Sequence, residues 1–327
     1  TKPVVVVAEE LTLMQGETLE IDASASYDIN SQGRKEPIVN PNNGGYDGIV
    51  KYQWDLDNDG LFGKDDGEPE QSLVEYDFGG VAGNYKVHVK VFDSFGAASV
   101  QSIKVLVFDK SSQLVRFPIT QDTTLDGYSG SAKGHNNGSV NTVRLWAKGT
   151  RRGMFKSPLD LPTNVKIIQA KLHLYVTNIA YPNNPVVSAF ALNQGWKEGQ
   201  GVHKVTNSGA NWHAYDVSGN GANNWLTPGG DFDQTTDFGH GENGIVDVFR
   251  AEAEKWVSVD VSLLAHEWQN GLDNNGIILL GDNSGNGIYF ASKEHSDSNL
   301  HPYLEVRYQV MNTTPVINFN ELAVSSH

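Results

Sequence analysis

Cysteine is absent from this chain of 327 residues, which excludes disulfides and thiolate metal sites. No run of about 18 apolar residues occurs either, so no membrane-spanning helix is expected. Positive charge is scarce: 24 Lys and Arg stand against 39 Asp and Glu, a formal net charge of −15. Nucleic-acid binding draws most of its affinity from phosphates neutralised by clustered basic residues. A chain this acidic, with no basic stripe, is a poor candidate for it. Common catalytic signatures are missing too, with no G-x-S-x-G, no H-E-x-x-H and no phosphate-cradling glycine loop. The chain opens at Thr1 rather than Met and shows no signal peptide, so it is expected to be a processed or excised piece of a longer protein.

What the chain does have is turns and short strands. It carries 34 glycines with many Asn and Ser, which punctuate segments that alternate apolar and polar residues. Residues 19–22, 85–91 and 100–107 alternate in this way, as half-buried antiparallel strands do. Residues 167–176, 276–280 and 303–308 supply further strands, and Leu114-Val115-Arg116-Phe117 opens the second half. Residues 29–48 and 207–244 read as long surface loops. One helix is expected over 262–270, where Leu263, Leu264, Glu267 and Trp268 stand at helical spacing. Many short strands with turn signals predict an all-β fold of sandwich or jelly-roll type. The boundaries expected are 1–110, 111–311 and 312–327. The last segment is expected to begin a further β-domain or linker strand, because Thr1-Lys2-Pro3-Val4-Val5 recurs as Thr313-Thr314-Pro315-Val316-Ile317.

Two stretches carry candidate chemistry. The first is Trp54-Asp55-Leu56-Asp57-Asn58-Asp59-Gly60, in which alternate carboxylates can converge on one hard cation and Gly60 permits the sharp turn. Asp55, Asp57, Asp59, Asp66 and Glu68 are the candidate ligands for a structural calcium ion. Asp66 falls where an EF-hand carries a bidentate Glu, and no amphipathic helix flanks the loop, so a calcium-stiffened β-loop and a solvated acidic turn are the two readings. The second stretch is a basic island over residues 144–171: Arg144, Lys148, Arg151, Arg152, Lys156, Lys166 and Lys171, with Asp160 its only acid. Arginine forks match planar carboxylates and sulfates. Arg144, Lys148, Arg151, Arg152 and Lys293 are therefore candidate contacts to an acidic polysaccharide, with Trp146 as a stacking platform. The remaining reading is that these bases merely face solvent along one or two strands. Trp196, Trp212, Trp225, Trp256 and Trp268 are read as core or loop anchors rather than sugar platforms. Asp122 with Asp126, and Asp231, Asp233 and Asp237, are weaker cation candidates.

Two family resemblances sharpen the picture. Gly16, Leu19, Ile21, Asp22, Ala23, Ser24, Ser26 and Asp28, then Tyr52-Gln53-Trp54-Asp55, Tyr76-Asp77-Phe78 and Gly83-Asn84-Tyr85, make residues 1–110 resemble the PKD family. That resemblance implies an Ig-like β-sandwich acting as an extracellular spacer or binding module, with Trp54 between the sheets and Tyr85 near a strand corner. Residues 114–310 resemble DNRLRE domains through Asp122-Thr123-Thr124-Leu125-Asp126, Gly195-Trp196-Lys197-Glu198-Gly199, Ala210-Asn211-Trp212, Glu267-Trp268-Gln269-Asn270-Gly271 and Phe290-Ala291-Ser292-Lys293-Glu294. This second likeness implies a larger jelly-roll β-sandwich, non-catalytic, extracellular or cell-surface, and in some relatives a binder of acidic glycans. The runner-up is a repeat unit of a surface sheath, stalk or filament that meets copies of itself or neighbouring β-domains by strand addition. A polysaccharide-degrading enzyme is the third reading. It would need two facing carboxylates for hydrolysis, or Tyr and His beside Arg or Lys for elimination. Neither nucleic-acid binding nor membrane insertion is expected.

Overall fold

The computed structural model describes residues 2–28, 48–63, 68–146, 149–180, 185–218, 223–238, 244–282 and 287–311. Most of the 29–48 loop, the repeat at 313–317 and the candidate residues Asp66 and Lys148 lie outside them. The chain divides into two compact units, Thr1–Ser112 and Gln113–His327, and both are built of β-strands. Among the described residues no helix is long and apolar enough to cross a membrane.

Among its described residues the first unit has six strands: β1 (Glu10–Met14), β2 (Leu19–Asp22), β3 (Ile49–Asp55), β4 (Leu73–Tyr76), β5 (Gly83–Asp93) and β6 (Ala98–Phe108). They form a four-stranded sheet, β1-β6-β5-β3, and a separate β2-β4 pair. The β1–β6 pairing is parallel and the others are antiparallel. In β5 the valines at 87, 89 and 91 are buried, because alternate side chains of a strand share one face. They meet Ile103 and Val105 of β6, Ile21 of β2 and the fully buried Trp54 of β3. Trp54 donates its indole N–H to the Gln71 carbonyl at 2.8 Å, which lets a polar atom lie inside an apolar core. The Tyr85 hydroxyl donates to the Val81 carbonyl four residues upstream, fixing the entry into β5.

Among its described residues the second unit holds fifteen further strands. Those of the first half are β7 (Gln113–Pro118), β8 (Gln121–Asp126), β9 (His135–Asn136), β10 (Thr142–Leu145), β11 (Arg151–Lys156), β12 (Val165–Ile179) and β13 (Val186–Ala191). Then follow β14 (Lys204–Val205), β15 (Ala214–Asp216), β16 (Asn223–Asn224), β17 (Ile245–Arg250) and β18 (Lys255–Asp260). The helix α1 (Ser262–Gln269) precedes β19 (Ile277–Gly281), β20 (Ile288–Ala291) and β21 (Tyr303–Val310). One large sheet runs β10-β20-β12-β21-β7, with β18 also on β12; the other runs β17-β13-β19-β11-β8.

Apolar residues from both sheets, including Leu145, Phe155, Leu174, Leu279, Phe290 and Val306, form the main core. The helix, expected from its spacing, adds Leu264 and Ala265 to that core. The second sheet is covered on its other face as well. There Leu125, Met154 and Ile278 meet Leu192, Trp196, Ala210 and Trp225 from the 192–225 segment. This explains the unbroken apolar run Ile277-Ile278-Leu279-Leu280, since a strand buried on both faces has no reason to alternate.

Candidate functional site

The basic island is continuous in sequence but not in space. Arg144 lies on β10 of the large sheet, whereas Arg151 and Arg152 lie on β11 of the second sheet and point to opposite faces of it. Arg152 turns toward the covered face. Its guanidinium donates to the carbonyls of Gly149 (3.1 Å) and Gly229 (2.9 Å) and packs over the Trp212 and Phe232 rings. These contacts tie the turns at Trp212, Gly229 and Phe232 to β11.

Arg151 faces the other way and lies over the rings of Tyr128 (5.1 Å) and Trp146 (5.4 Å). Its Nε donates to Asp126 Oδ2 at 2.9 Å. Arg144 lies over its cross-strand neighbour Tyr289 at 5.4 Å, and its Nε reaches Thr142 Oγ1 at 3.4 Å. Its backbone N–H donates to Thr124 Oγ1, which places β10 beside β8. His203 joins the group by bonding Asn137 Oδ1 through Nδ1 at 2.9 Å. Burial first, then the charges of Arg144 and Arg151, push the His203 imidazole below its ordinary value, and Asp126 opposes this only in part. His203 also holds a left-handed backbone (φ 51°). That conformation is costly for a residue with a Cβ, and such strain concentrates at ligand sites.

Arg144, Trp146 and Arg151 are thus brought together, joined by Tyr128, Tyr289 and His203. Tyr128 is 64% exposed. Among the described residues, Asp126 is the carboxylate paired with Arg151. The sequence signal for Tyr128 was its place two residues after the β8 carboxylate. Nothing in the sequence pairs Tyr289 with Arg144, which needs the β10–β20 register.

Lys293 does not reach this cluster. Its ammonium binds Glu198 Oε2 at 3.0 Å and also Glu294, while its backbone N–H donates to Asp122 Oδ2 at 2.7 Å. Asp122 and Asp126, a weaker cation candidate, stand four residues apart along an extended strand, about 13 Å. The carboxylates that approach one another are Asp122, Glu198 and Glu294, within 4.8 Å. Burial pushes the Asp122 carboxyl far above its ordinary value. The Lys293 N–H offsets this only in part, and the neighbouring Glu294 and Glu198 add to it.

A group whose folded pKa is raised stabilises the fold fully below its unfolded value, and that contribution is lost as pH rises through the folded value. The melting temperature of wild-type unit 2 should therefore fall as pH rises above the ordinary aspartate value of about 4, with Asp122→Asn showing a shallower decline. Parallel curves in a thermal-melt series would refute this. Asp231 and Asp233 are turn residues: Asp231 accepts from the amides of Leu226 and Thr227, and Asp233 from those of Thr235 and Thr236.

In the first unit, oxygens of Asp55, Asp57 and Asp59 lie within 4.8 Å of one another. The loop is held by the same groups: Asp55 accepts from the amides of Asp59 and Gly60 at 3.1 Å, and Asp59 from that of Leu61 at 2.8 Å. Glu68 Oε1 accepts from the Leu56 amide, which brings Glu68 to the base of the loop. Positive φ at Asn58 (62°) and Gly60 (91°) makes the turn. The donor set, three carboxylates on one side of a tight loop, suits a hard cation.

No protein-family model and no curated protein sequence matches the chain. Among solved structures, a set of carbohydrate-binding modules of the β-sandwich superfamily is similar at 12% identity, covering 95% of this chain and 97% of that one, with a TM-score of 0.24. A structure of CBM51-2 with GlcNAc and INT domains from Clostridium perfringens ZmpB is similar at 13% identity and a TM-score of 0.28. The ZmpB M60 catalytic domain with its CBM51-1 and CBM51-2 domains is similar at 12% identity and a TM-score of 0.27. This chain aligns over 94% of its length with each of the two ZmpB structures but spans only 48% and 23% of theirs.

Proposed function

We propose that the second unit is a non-catalytic module that binds an acidic polysaccharide in an extracellular setting. One observation carries the reading. In a chain of net charge −15, Arg144 lies over Tyr289 and Arg151 over Tyr128 and Trp146, and among the described residues Asp126 is the carboxylate paired with Arg151. Guanidinium forks pair with uronate or sulfate oxygens, and the aromatic faces pack against the apolar side of a sugar ring. The test is retardation in affinity gels containing uronate or sulfated polysaccharides. Arg144→Ala with Arg151→Ala should abolish retardation, whereas neutral polysaccharides should retard neither protein. Retardation that persists in the double variant would refute the site. The same incubation reads a competing activity, because His203 and Tyr128 near Arg151 are the groups an elimination reaction uses. Release of unsaturated uronate would make the module a lyase.

The first unit fits a supporting role, with calcium held by Asp55, Asp57 and Asp59 and by Glu68 at the base of the loop. An ion that binds only the folded state at about 100 times its dissociation constant adds about 2.7 kcal/mol. Unit 1 should therefore melt several degrees lower in chelator than in calcium, and Asp57→Asn with Asp59→Asn should erase the difference. A melting temperature unmoved by calcium would leave the loop as a solvated turn.

A further inference from the structure

The Arg144–Tyr289 pair lies on the outer face of the large sheet. On β10 the neighbours Val143 and Leu145 enter the core, as do Ile288 and Phe290 around Tyr289, so Arg144 and Tyr289 face away from it. The same alternation runs on across the sheet. Leu174 and Val176 flank Tyr175, Leu304 follows Tyr303, and Val257 follows Trp256, all of them packed on the core while the rings face outward. Trp256, expected to be an anchor, is instead 39% exposed. Its ring is braced edge-on by Tyr175 at 5.5 Å and tilted against Tyr303 at 5.5 Å. His173 stacks on Tyr303 at 4.7 Å, and Arg116 covers Tyr303 while bonding Glu305 at 2.8 Å. Through the β12–β20 register Tyr289 stands opposite Asn178, so Tyr175 lies three residues, about 10 Å, further along the same strand.

We propose that this outer face is a continuous saccharide track, with Arg144 and Tyr289 at one subsite and Trp256, backed by Tyr175 and the Arg116–Glu305 pair, at a second. Three features favour a sugar chain as the occupant. The rings are rigidly braced, which suits stacking on pyranose faces at low entropic cost. Beside them the exposed Arg116, paired with the half-buried Glu305, offers donors to hydroxyls. The patch also shares one sheet face with Arg144 and Tyr289. The ligand is then an internal stretch of polymer spanning both subsites, not a terminal sugar. This inference rests on the reading of the Arg144 site as a glycan site, and the experiment separates the two.

The experiment is calorimetric titration of the full chain with size-fractionated oligouronates, from dimers to octamers. Wild-type affinity should rise with length and then level off. Trp256→Ala should weaken the long oligomers about tenfold while leaving the shortest binders unchanged. Arg144→Ala should weaken all lengths. Trp256→Phe, which keeps a ring, should retain most of the length effect and guards against misfolding of the alanine variant. If Trp256→Ala leaves the length dependence intact while Arg144→Ala abolishes binding, the track is refuted and the Arg144 site stands. If Trp256→Ala abolishes binding while Arg144→Ala does nothing, the Arg144 site is refuted and the aromatic patch is the sugar site. A Trp256→Ala variant that dissolves a dimer in sedimentation, with sugar affinity unchanged, assigns the face to a second copy and refutes the track.

Discussion

Asn136→Ala should strongly destabilise the second unit, although it removes only a side-chain amide. Asn136 is 1% exposed, and its amide joins four backbone groups. Nδ2 donates to the carbonyls of Glu198 (2.5 Å) and Ala210 (2.8 Å), and Oδ1 accepts from the amides of Gly201 (2.6 Å) and Gly138 (3.3 Å). The surrounding chain closes so tightly that glycine is needed. A Cβ at Gly199 would stand 2.7 Å from the Asn136 amide, and one at Gly201 would stand 2.5 Å from the Asn136 carbonyl oxygen. Truncation leaves two carbonyls and two amides buried without partners, at about 1–3 kcal/mol for each group that water cannot reach. With some water entering the gap, a net loss of about 4 kcal/mol is expected, against a total stability of about 5–15 kcal/mol for a domain. Asn136→Leu fills the space without the hydrogen bonds, so it should fare no better if polar satisfaction dominates. Urea unfolding followed by tryptophan fluorescence measures both variants. A loss below about 1 kcal/mol in either would mean that the loops are held by packing alone. Asn137, the next residue, bonds both His203 and the Thr124 carbonyl, so partial folding of the variant should also cost polysaccharide binding.

These contacts show which parts of the molecule the sequence discloses. Alternation discloses strands with one wet face, and β5, β6, β12 and α1 stand where the pattern places them. The same rule, applied to Lys255-Trp256-Val257-Ser258-Val259, puts the valines inward and Trp256 outward, so the exposed tryptophan was legible from its own strand. It also separates Arg151 from Arg152, because neighbours on a strand point to opposite faces. The cation site was obscured by something else. Arg144 and Arg151 belong to different sheets, and whether they meet depends on how the sheets close at β8 and β10, which local periodicity does not encode. Asn136 was hidden for a similar reason. Its partners at 198, 201 and 210 are 62 to 74 residues away, and a short Asn-Asn-Gly run reads as a turn wherever it occurs.

Trp54→Ala should cost the first unit about as much as it can lose and remain folded. The side chain is fully buried among Val87, Val89, Val91, Ile103 and Val105, and its indole N–H is the partner of the Gln71 carbonyl. Replacing a core tryptophan by alanine removes transfer free energy and leaves a cavity, about 3–5 kcal/mol together. The Gln71 carbonyl loses its indole donor as well, a smaller cost because Gln71 is exposed and water can take the donor's place. The effect should reach the acidic loop directly. Trp54 is followed by Asp55, whose carboxylate receives the Asp59 and Gly60 amides, so loss of the tryptophan anchor loosens the stem on which all three carboxylates stand. In calorimetry the unit 1 transition should fall sharply or vanish, and whatever remains should respond less to calcium than the wild type does. Trp54→Phe keeps a ring in the core but leaves Gln71 without its donor, and should fall between the two. If Trp54→Ala melts like the wild type, Trp54 is not the residue that joins the two layers. If it is strongly destabilised yet keeps the full calcium response, the loop is built independently of the core, and cation binding would have to be explained by the turn alone.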